Sequence, residues 1–323
     1  MGGALDPTVA SARNAVRDNL ADLDPGARLV VAVSGGADSL ALAVATSFVA
    51  GKNAHPLTAV IVDHQLQDGS AAVAEKARQQ VESLGISATV VTVDVGTGGG
   101  MEAAARRARY AVFDALDDAD AVLLGHTLDD QAETVLLGLG RGSGSRSIAG
   151  MAAVEGIYRR PFLALERKAT ERVCRVSGLD WWSDPHNADP SYTRARLRHE
   201  VLPLLEDVLG GGVAKALART ADFLRADNAA LDELATSVSD ARETATLQVA
   251  GLEMLPEAIR TRVLRKAALD AGADASELAA HHIRGIDRLI SDWHGQQRIE
   301  LPGGVAALRT GDALHFGPTP VAR

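Results

Sequence analysis

Cysteine occurs once in the 323 residues, at position 174. A single cysteine cannot close an internal disulfide, supply a Cys-x-x-Cys pair or hold a cluster. Cys174 therefore reads as a small buried apolar residue. Aromatic residues are scarce, 3% of the chain, so the core must be built from Ala, Val and Leu. No uninterrupted apolar run approaches the ~20 residues of a membrane span, and the N-terminal stretch lacks the basic-then-apolar pattern of a secretory signal. These absences predict a cytoplasmic protein with no membrane partner. An excess of positive charge is also missing: the formal net charge is −9. That argues against wholesale coating of nucleic acid, but not against a local basic patch, because the surface field follows the distribution of charge.

What is present centres on Val30 to Leu40. An apolar β-branched run stops at Ser34, Gly35, Gly36 and Ala37 follow, and Asp38 and Ser39 open a further apolar series. This pattern predicts a buried strand, a tight turn and the first turn of a helix. Glycine lets the backbone approach a ligand closely, and free amides at a helix N-terminus favour an anion. The turn thus reads as a phosphate cradle. It is not a Walker A loop, which needs a Lys-Ser/Thr pair closing the glycine turn.

Strands and helices are expected to alternate through the first half. Strands are predicted over 28–34, 57–63, 88–95 and 121–125, and helices over 38–50, 69–84, 101–116 and 128–139, after an opening amphipathic helix within 1–27. Continuous apolar strands in βαβα order predict a doubly wound parallel sheet covered on both faces, with ligands at the carboxyl ends of its strands. Beyond residue 194 the chain reads as helical (197–209, 213–234, 259–271, 277–293), and Arg298–Phe316 as a small hairpin. The expected division is a catalytic domain over 1–208 and a mainly helical domain over 209–323.

Three further groups carry chemistry. Val62-Asp63-His64 closes the second strand beside the glycine loop, where the backbone of Val60 to Val62 can face an adenine edge. Glu102, Arg106, Arg109 and Tyr110 share one helix face; a surface Glu102–Arg106 pair and a phosphate-neutralising arginine are about equally compatible with that spacing. Gly125 and His126 end the fourth strand, and His126, Asp130 and Glu133 follow at i, i+4 and i+7. Acidic residues in a first helical turn are favoured by the helix dipole alone. As a metal site this carboxylate set suits a hard cation better than zinc; with Asp38 it is suited to Mg²⁺ on ATP phosphates, or in part to facing the substrate. Arg159 to Arg175 carries six basic residues against two acidic ones, and Arg194, Arg196 and Arg198 follow, a pattern expected of RNA-phosphate contacts. Trp181-Trp182 reads as core packing.

Ser34-Gly-Gly-Ala-Asp-Ser39 resembles the pyrophosphate-binding loop of the N-type ATP pyrophosphatases. Together with Val62-Asp63-His64, Glu102 to Tyr110, His126 to Thr134, Arg141 to Gly144, Arg160 to Leu163 and Asp189 to Arg198, it resembles the tRNA(Ile)-lysidine synthetase family over about the first 200 residues. The remainder, ending in Leu301-Pro-Gly-Gly304, is similar to that family's second domain and looks like its short form. Thr127 and Tyr192 depart from the family pattern, where His and Asn are commoner. The resemblance implies ATP and Mg²⁺ as cofactors, a tRNA(Ile) with a CAU anticodon and free L-lysine as partners, and is compatible with a homodimer. It implies adenylation of the C2 oxygen of the first anticodon cytidine, then attack by the lysine ε-amine with loss of AMP. Carried onto this chain, Asp38, Arg106, Arg109, His126, Asp130 and Glu133 are the expected catalytic set. Ser34 to Ser39, Val62 and Gly125 hold nucleotide, Asp38 and Asp130 hold metal, and Arg141, Arg160, Arg194, Arg196 and Arg198 contact tRNA. The alternatives fit less well: a tRNA thiolase needs more cysteines, an amidating enzyme an ammonia source, and a nucleotide-binding regulator has no use for the acidic helix face.

Overall fold

Apolar β-branched runs become the strands β1 (Leu29–Val33), β2 (Leu57–Asp63), β3 (Ser87–Thr92) and β4 (Ala121–Leu123) of the computed structural model. The structure describes residues 5–67, 69–96, 100–142, 144–184, 189–240, 246–275, 277–296 and 298–319. Expectations resting on Ser143 and on the Glu102 side chain fall outside the described residues.

Helices α1 (Pro7–Asn19), α2 (Ala37–Asn53), α3 (Ser70–Ser83), α4 (Met101–Asp114) and α5 (Leu128–Arg141) alternate with these strands. A hairpin unforeseen in the sequence, β5 (Val154–Glu155) and β6 (Tyr158–Arg159), completes a sheet of order β3-β2-β1-β4-β6-β5. Every pairing is parallel except β5 with β6. The order reverses between β1 and β4, so a crevice opens at their carboxyl ends. One face buries a core of Ala, Val and Leu from α1, α2 and α3 with Phe162 and Cys174, and the other packs Phe113 of α4 onto Val30, Val60 and Val122. Phe113 and Phe162 thus add volume to a core of small residues, whereas Phe48, Phe223 and Trp293 are exposed. Next come α6 (Arg167–Val176), α7 (Thr193–Arg196), a π-helical turn (Leu197–Val201), α8 (Leu202–Val208) and α9 (Val213–Asp240).

The chain divides into two compact units, Met1–Leu136 with Gly150–Arg219, and Leu137–Ala149 with Thr220–Arg323. A single cut after residue 208 does not anticipate the return of 137–149 to the second unit. Side chains account for it: Arg146 pairs with Asp232, Arg262 Nε donates to Asp232 at 3.0 Å, and Ser145 Oγ and Arg262 Nη2 donate to Asn228 Oδ1 at 2.9 and 2.7 Å. In this unit β7 (Thr246–Gln248), β8 (Arg298–Leu301), β9 (Val305–Thr310) and β10 (Ala313–Pro318) form an antiparallel sheet of order β7-β10-β9-β8. The expected hairpin is thus part of a four-stranded sheet, packed with α10 (Val249–Glu253), α11 (Glu257–Asp270) and α12 (Ala280–Ser291) around Leu264, Ile286 and Leu289. Among the described residues no helix is long and apolar enough to cross a membrane.

Candidate active site

The loop between β1 and α2 is held by its own side chains. Ser39 Oγ donates to the Gly36 carbonyl at 3.0 Å and accepts from the Ser34 amide at 3.1 Å. Gly35 has φ +82°, a left-handed conformation that a Cβ would strain. Gly36 is the N-cap of α2 and offers no capping side chain, so first-turn amides remain available to an anion. Gly125, just past β4, lies against this turn: a Cβ there would stand 3.0 Å from the Asp38 carbonyl and from the Ser39 amide nitrogen. Glycine at 125 is therefore what lets the β4 end close on the loop.

The tip of β2 is the third wall. Val60 and Ile61 pair with β1 on one side and β3 on the other, whereas Val62 pairs with β3 and has no counterpart on β1. The expectation that Val60 to Val62 all offer main chain to an adenine edge narrows to Val62, because ladder bonds occupy the other two. His64 lines the same cavity; burial and the Arg109 guanidinium hold its imidazole below the ordinary histidine range.

The acidic turn is built differently from a simple helix face. His126 precedes α5 rather than lying on it. Asp130 Oδ2 accepts from the Thr127 amide at 2.8 Å and the Thr127 hydroxyl at 2.9 Å, half of a capping box. The departure at Thr127 thus has a structural use. Asp130 Oδ1 faces two guanidinium groups, Arg167 Nη2 at 2.9 Å and Arg198 Nη2 at 3.3 Å. Glu133 is fully buried and is not on the cavity wall; its Oε1 accepts from Arg198 Nε at 2.7 Å, and Arg194 Nη1 stands 3.7 Å from its Oε2. Arg167 Nε lies 3.4 Å from Asp38 Oδ2, and the buried Thr170 hydroxyl donates to Asp38 Oδ1.

These pairings set the charges. Burial pushes the Asp38 carboxyl up to about 6, against the pull of Arg167 and Thr170. Burial presses on Asp130 as well, but Arg167, the Thr127 amide and Arg198 together hold it below the usual carboxylate range. Burial raises Glu133 despite Arg198. Burial, Arg109, Arg160 and Arg106 push the His126 imidazole down to about 3, so at neutral pH it is an uncharged hydrogen-bonding group. Burial, with Arg106 and Arg194 nearby, also lowers Arg109.

A cavity of about 760 Å³ collects Ser34, Gly36, Asp38, Val62, Gly125, His126, Asp130, Arg109, Arg167 and Arg198. Among the described residues no three His, Cys, Asp or Glu converge as a metal cage. Of the carboxylates lining the cavity, Asp38 and Asp130 share one guanidinium, that of Arg167, between them. Oxygen donors of this kind are the type a hard divalent cation takes, completed by phosphate oxygens and water.

Other expected residues lie elsewhere. Arg106 is exposed, with its Nη2 donating to Tyr110 Oη at 3.2 Å. Arg141 is exposed at the end of α5, and Arg196 pairs with Glu200 at 3.1 Å. Arg160 requires correction as an RNA-facing residue: it is 3% exposed, with its guanidinium on the Ala152 carbonyl and Glu155. Arg198 turns into the acidic cluster instead of outward. Within the basic stretch 159–175, Arg159 is buried against Asp22, whereas Arg172 and Arg175 stay exposed while pairing with Asp6 and Glu171, and Lys168 is exposed. Trp181 packs against the core as expected, both Trp181 and Trp182 line the cavity, and Trp182 donates its amide to the Gly35 carbonyl at 2.9 Å. Arg167 and Thr170 were missed as site residues; their i, i+3 spacing on an amphipathic helix, and the need of three buried carboxylates for counter-charge, were the available signals. Burial pushes the Cys174 thiol up to about 12, which leaves it inert.

Residues 8–205 match the PP-loop domain family and residues 247–315 the TilS substrate binding domain; the first match implies use of ATP. A tRNA(Ile)-lysidine synthase of Thermobifida fusca is 52% identical over 92% of this chain and 94% of its own length. The same enzyme of Streptomyces coelicolor is 54% identical over 90% of this chain and 85% of its own. Among solved structures, a U34-tRNA thiolase of Methanococcus maripaludis is similar, with TM-score 0.54 and 18% identity over 68% of this chain and 80% of that one, a likeness of fold alone. With both family models matched and relatives at 52 and 54% identity over most of the chain, the chain belongs to the tRNA(Ile)-lysidine synthase family.

Proposed function

We propose that this protein joins free lysine to C2 of the cytidine at the first anticodon position of tRNA(Ile), using ATP and passing through an adenylated tRNA. The observation that carries the reading is the placement of Asp38, Asp130, Arg167 and Arg198 around one cavity at the carboxyl ends of β1 and β4. The loop amides of α2 hold the β and γ phosphates, and Arg109 takes up charge where the α phosphate is attacked. Asp38 and Asp130 hold Mg²⁺, which when bound neutralises phosphate charge. Val62 receives the adenine edge. The lysine ammonium docks on the acidic side, where a carboxylate accepts the proton that the ε-amine must lose before it attacks.

Arg141 and Arg196 are the exposed cations proposed for tRNA phosphates, with Arg194 beside Glu133 at the edge of the site. The substrates place the reaction in the cytoplasm. Exposed Leu204, Val208 and Leu209 offer an apolar face for a homodimer, which sedimentation velocity tests. The function is tested by incubating the protein with total tRNA, radiolabelled lysine and ATP. Label should enter RNA, only with ATP, and pyrophosphate should be released in proportion. Absence of label from RNA under these conditions refutes the assignment.

A further inference from the structure

The start of α2 is braced from an unexpected direction. Helix α6 presents Arg167, Thr170 and Cys174 at i, i+3 and i+7, one stripe of a helix, and all three reach the first turn of α2. Arg167 Nε lies 3.4 Å from Asp38 Oδ2, the Thr170 hydroxyl donates to Asp38 Oδ1, and Cys174 Sγ donates to the Ala37 carbonyl at 3.3 Å. Both oxygens of the Asp38 carboxylate are thus engaged by residues one helical turn apart. Thr170 is 1% exposed, so no water substitutes for its hydroxyl.

We propose that Thr170 is a positioning residue for the reaction: its hydroxyl fixes the rotamer of the Asp38 carboxylate and so aims Oδ2 at the nucleotide's metal-binding face. A hydroxyl carries one proton. Thr170 Oγ1 is also 2.7 Å from the Arg167 carbonyl, the usual acceptor for a helical threonine. Two acceptors compete, and the carboxylate wins because a charge-assisted hydrogen bond is the stronger. In free aspartate, rotation about χ2 exchanges the two oxygens at little cost. With Oδ1 tied to Thr170, Oδ2 is the oxygen left to Arg167 and the cavity. Arg167 does not fix the rotamer by itself, because its Nη2 is held by Asp130 at 2.9 Å and its Nε contact with Asp38 is longer. The inference rests on the reading that Asp38 serves bound ATP.

The test compares Thr170→Val, Thr170→Ser, Cys174→Ala and Asp38→Asn in the full chain. It reads Mg·ATP binding by equilibrium dialysis without tRNA or lysine, KM for ATP and for lysine, and melting temperature. Loss of one charge-assisted hydrogen bond predicts roughly tenfold weaker Mg·ATP binding in Thr170→Val. KM for ATP should rise in step while KM for lysine stays put, and Thr170→Ser should restore both values. Cys174→Ala removes the thiol's hydrogen bond to the Ala37 carbonyl but none to the Asp38 carboxylate, and should lower the melting temperature while weakening Mg·ATP binding far less than Thr170→Val does. Should Thr170→Val fail to fold, Thr170→Ala carries the same comparison. If Asp38→Asn loses Mg·ATP binding and Thr170→Val does not, the positioning role is wrong. Equal weakening in Thr170→Val and Cys174→Ala also overturns it, in favour of simple helix packing. Undiminished binding in Asp38→Asn would instead overturn the role of Asp38 itself.

Discussion

Arg198 donates from Nε to Oε1 of Glu133 at 2.7 Å, across 65 residues of sequence. The carboxylate is fully buried, and the guanidinium is the group through which it meets the cavity. The sequence places both residues in motifs but gives neither a partner. Removing one member leaves a buried charge uncompensated, which costs far more than an exposed pair. Arg198→Met should therefore destabilise the protein by roughly 3–5 kcal/mol. Adding Glu133→Leu should recover most of that loss. Urea denaturation of the four members of the cycle measures both values.

Asp38 ties activity to a stability cost. Its folded value of about 6 lies above the ordinary 3.8, so the native state binds the proton more tightly than the unfolded chain. The stability this contributes is complete below about pH 4 and is lost as pH rises through about 6. Relative to Asp38→Asn, the wild type should lose about 2–3 kcal/mol over that interval and nothing further above it. Denaturation at stepped pH with EDTA present gives the difference. Asp38→Asn should at the same time release no pyrophosphate.

Gly125→Ala tests the closeness of β4 to the loop. The added methyl would meet the Asp38 carbonyl carbon and oxygen at 3.0 Å, and main chain cannot rotate away as a side chain can. The first turn of α2 must shift. The expected result is a loss of about 1–3 kcal/mol from overpacking, with ATP-dependent activity falling by more than stability explains. Single-turnover pyrophosphate release in the folded variant measures the second effect.

Arg141 and Arg160 separate phosphate contact from internal anchoring. Arg141→Glu should weaken tRNA binding and lower the log–log salt slope by ~0.9 or less, with melting temperature little changed. Arg160→Ala should do the reverse, because its guanidinium holds the Ala152 carbonyl inside the first unit. Filter binding across a salt series, with thermal melts alongside, distinguishes the two patterns. Equal salt slopes for Arg141→Glu and wild type would remove Arg141 from the RNA surface.

Asp130 and Glu133 should divide the two chemical steps. Asp130 faces the cavity next to Asp38 through Arg167, so Asp130→Asn should lose adenylation and everything after it. Glu133 stands behind Arg198 on the side proposed for lysine, so Glu133→Gln should still form the acid-sensitive AMP–tRNA adduct and fail in a lysine chase. Proportional loss of both steps in both variants would make the acidic turn a metal site alone.

The sheet was legible because its signals are local. A β-branched run such as Leu29–Val33 has the same meaning wherever it folds, and a glycine turn before Asp38 and Ser39 places phosphate amides at a strand end by geometry alone. That Gly125 and Val62 line the cavity was legible for the same reason, each being next to a strand terminus. Arginine carries no such local meaning. Arg160 and Arg198 lie in similar basic stretches, yet one anchors a hairpin beneath the surface and the other neutralises Glu133. Nor does the basic run from 159 to 175 say that Arg167 faces Asp38 and Asp130 while Arg172 faces Asp6. Which cation reaches which carboxylate depends on elements brought together across the chain, 37 residues apart for Arg167 and Asp130, 65 for Arg198 and Glu133 and 166 for Arg172 and Asp6. Only packing removes water from a pair and so decides whether a charge is a solvated side chain, a structural anchor or part of the site.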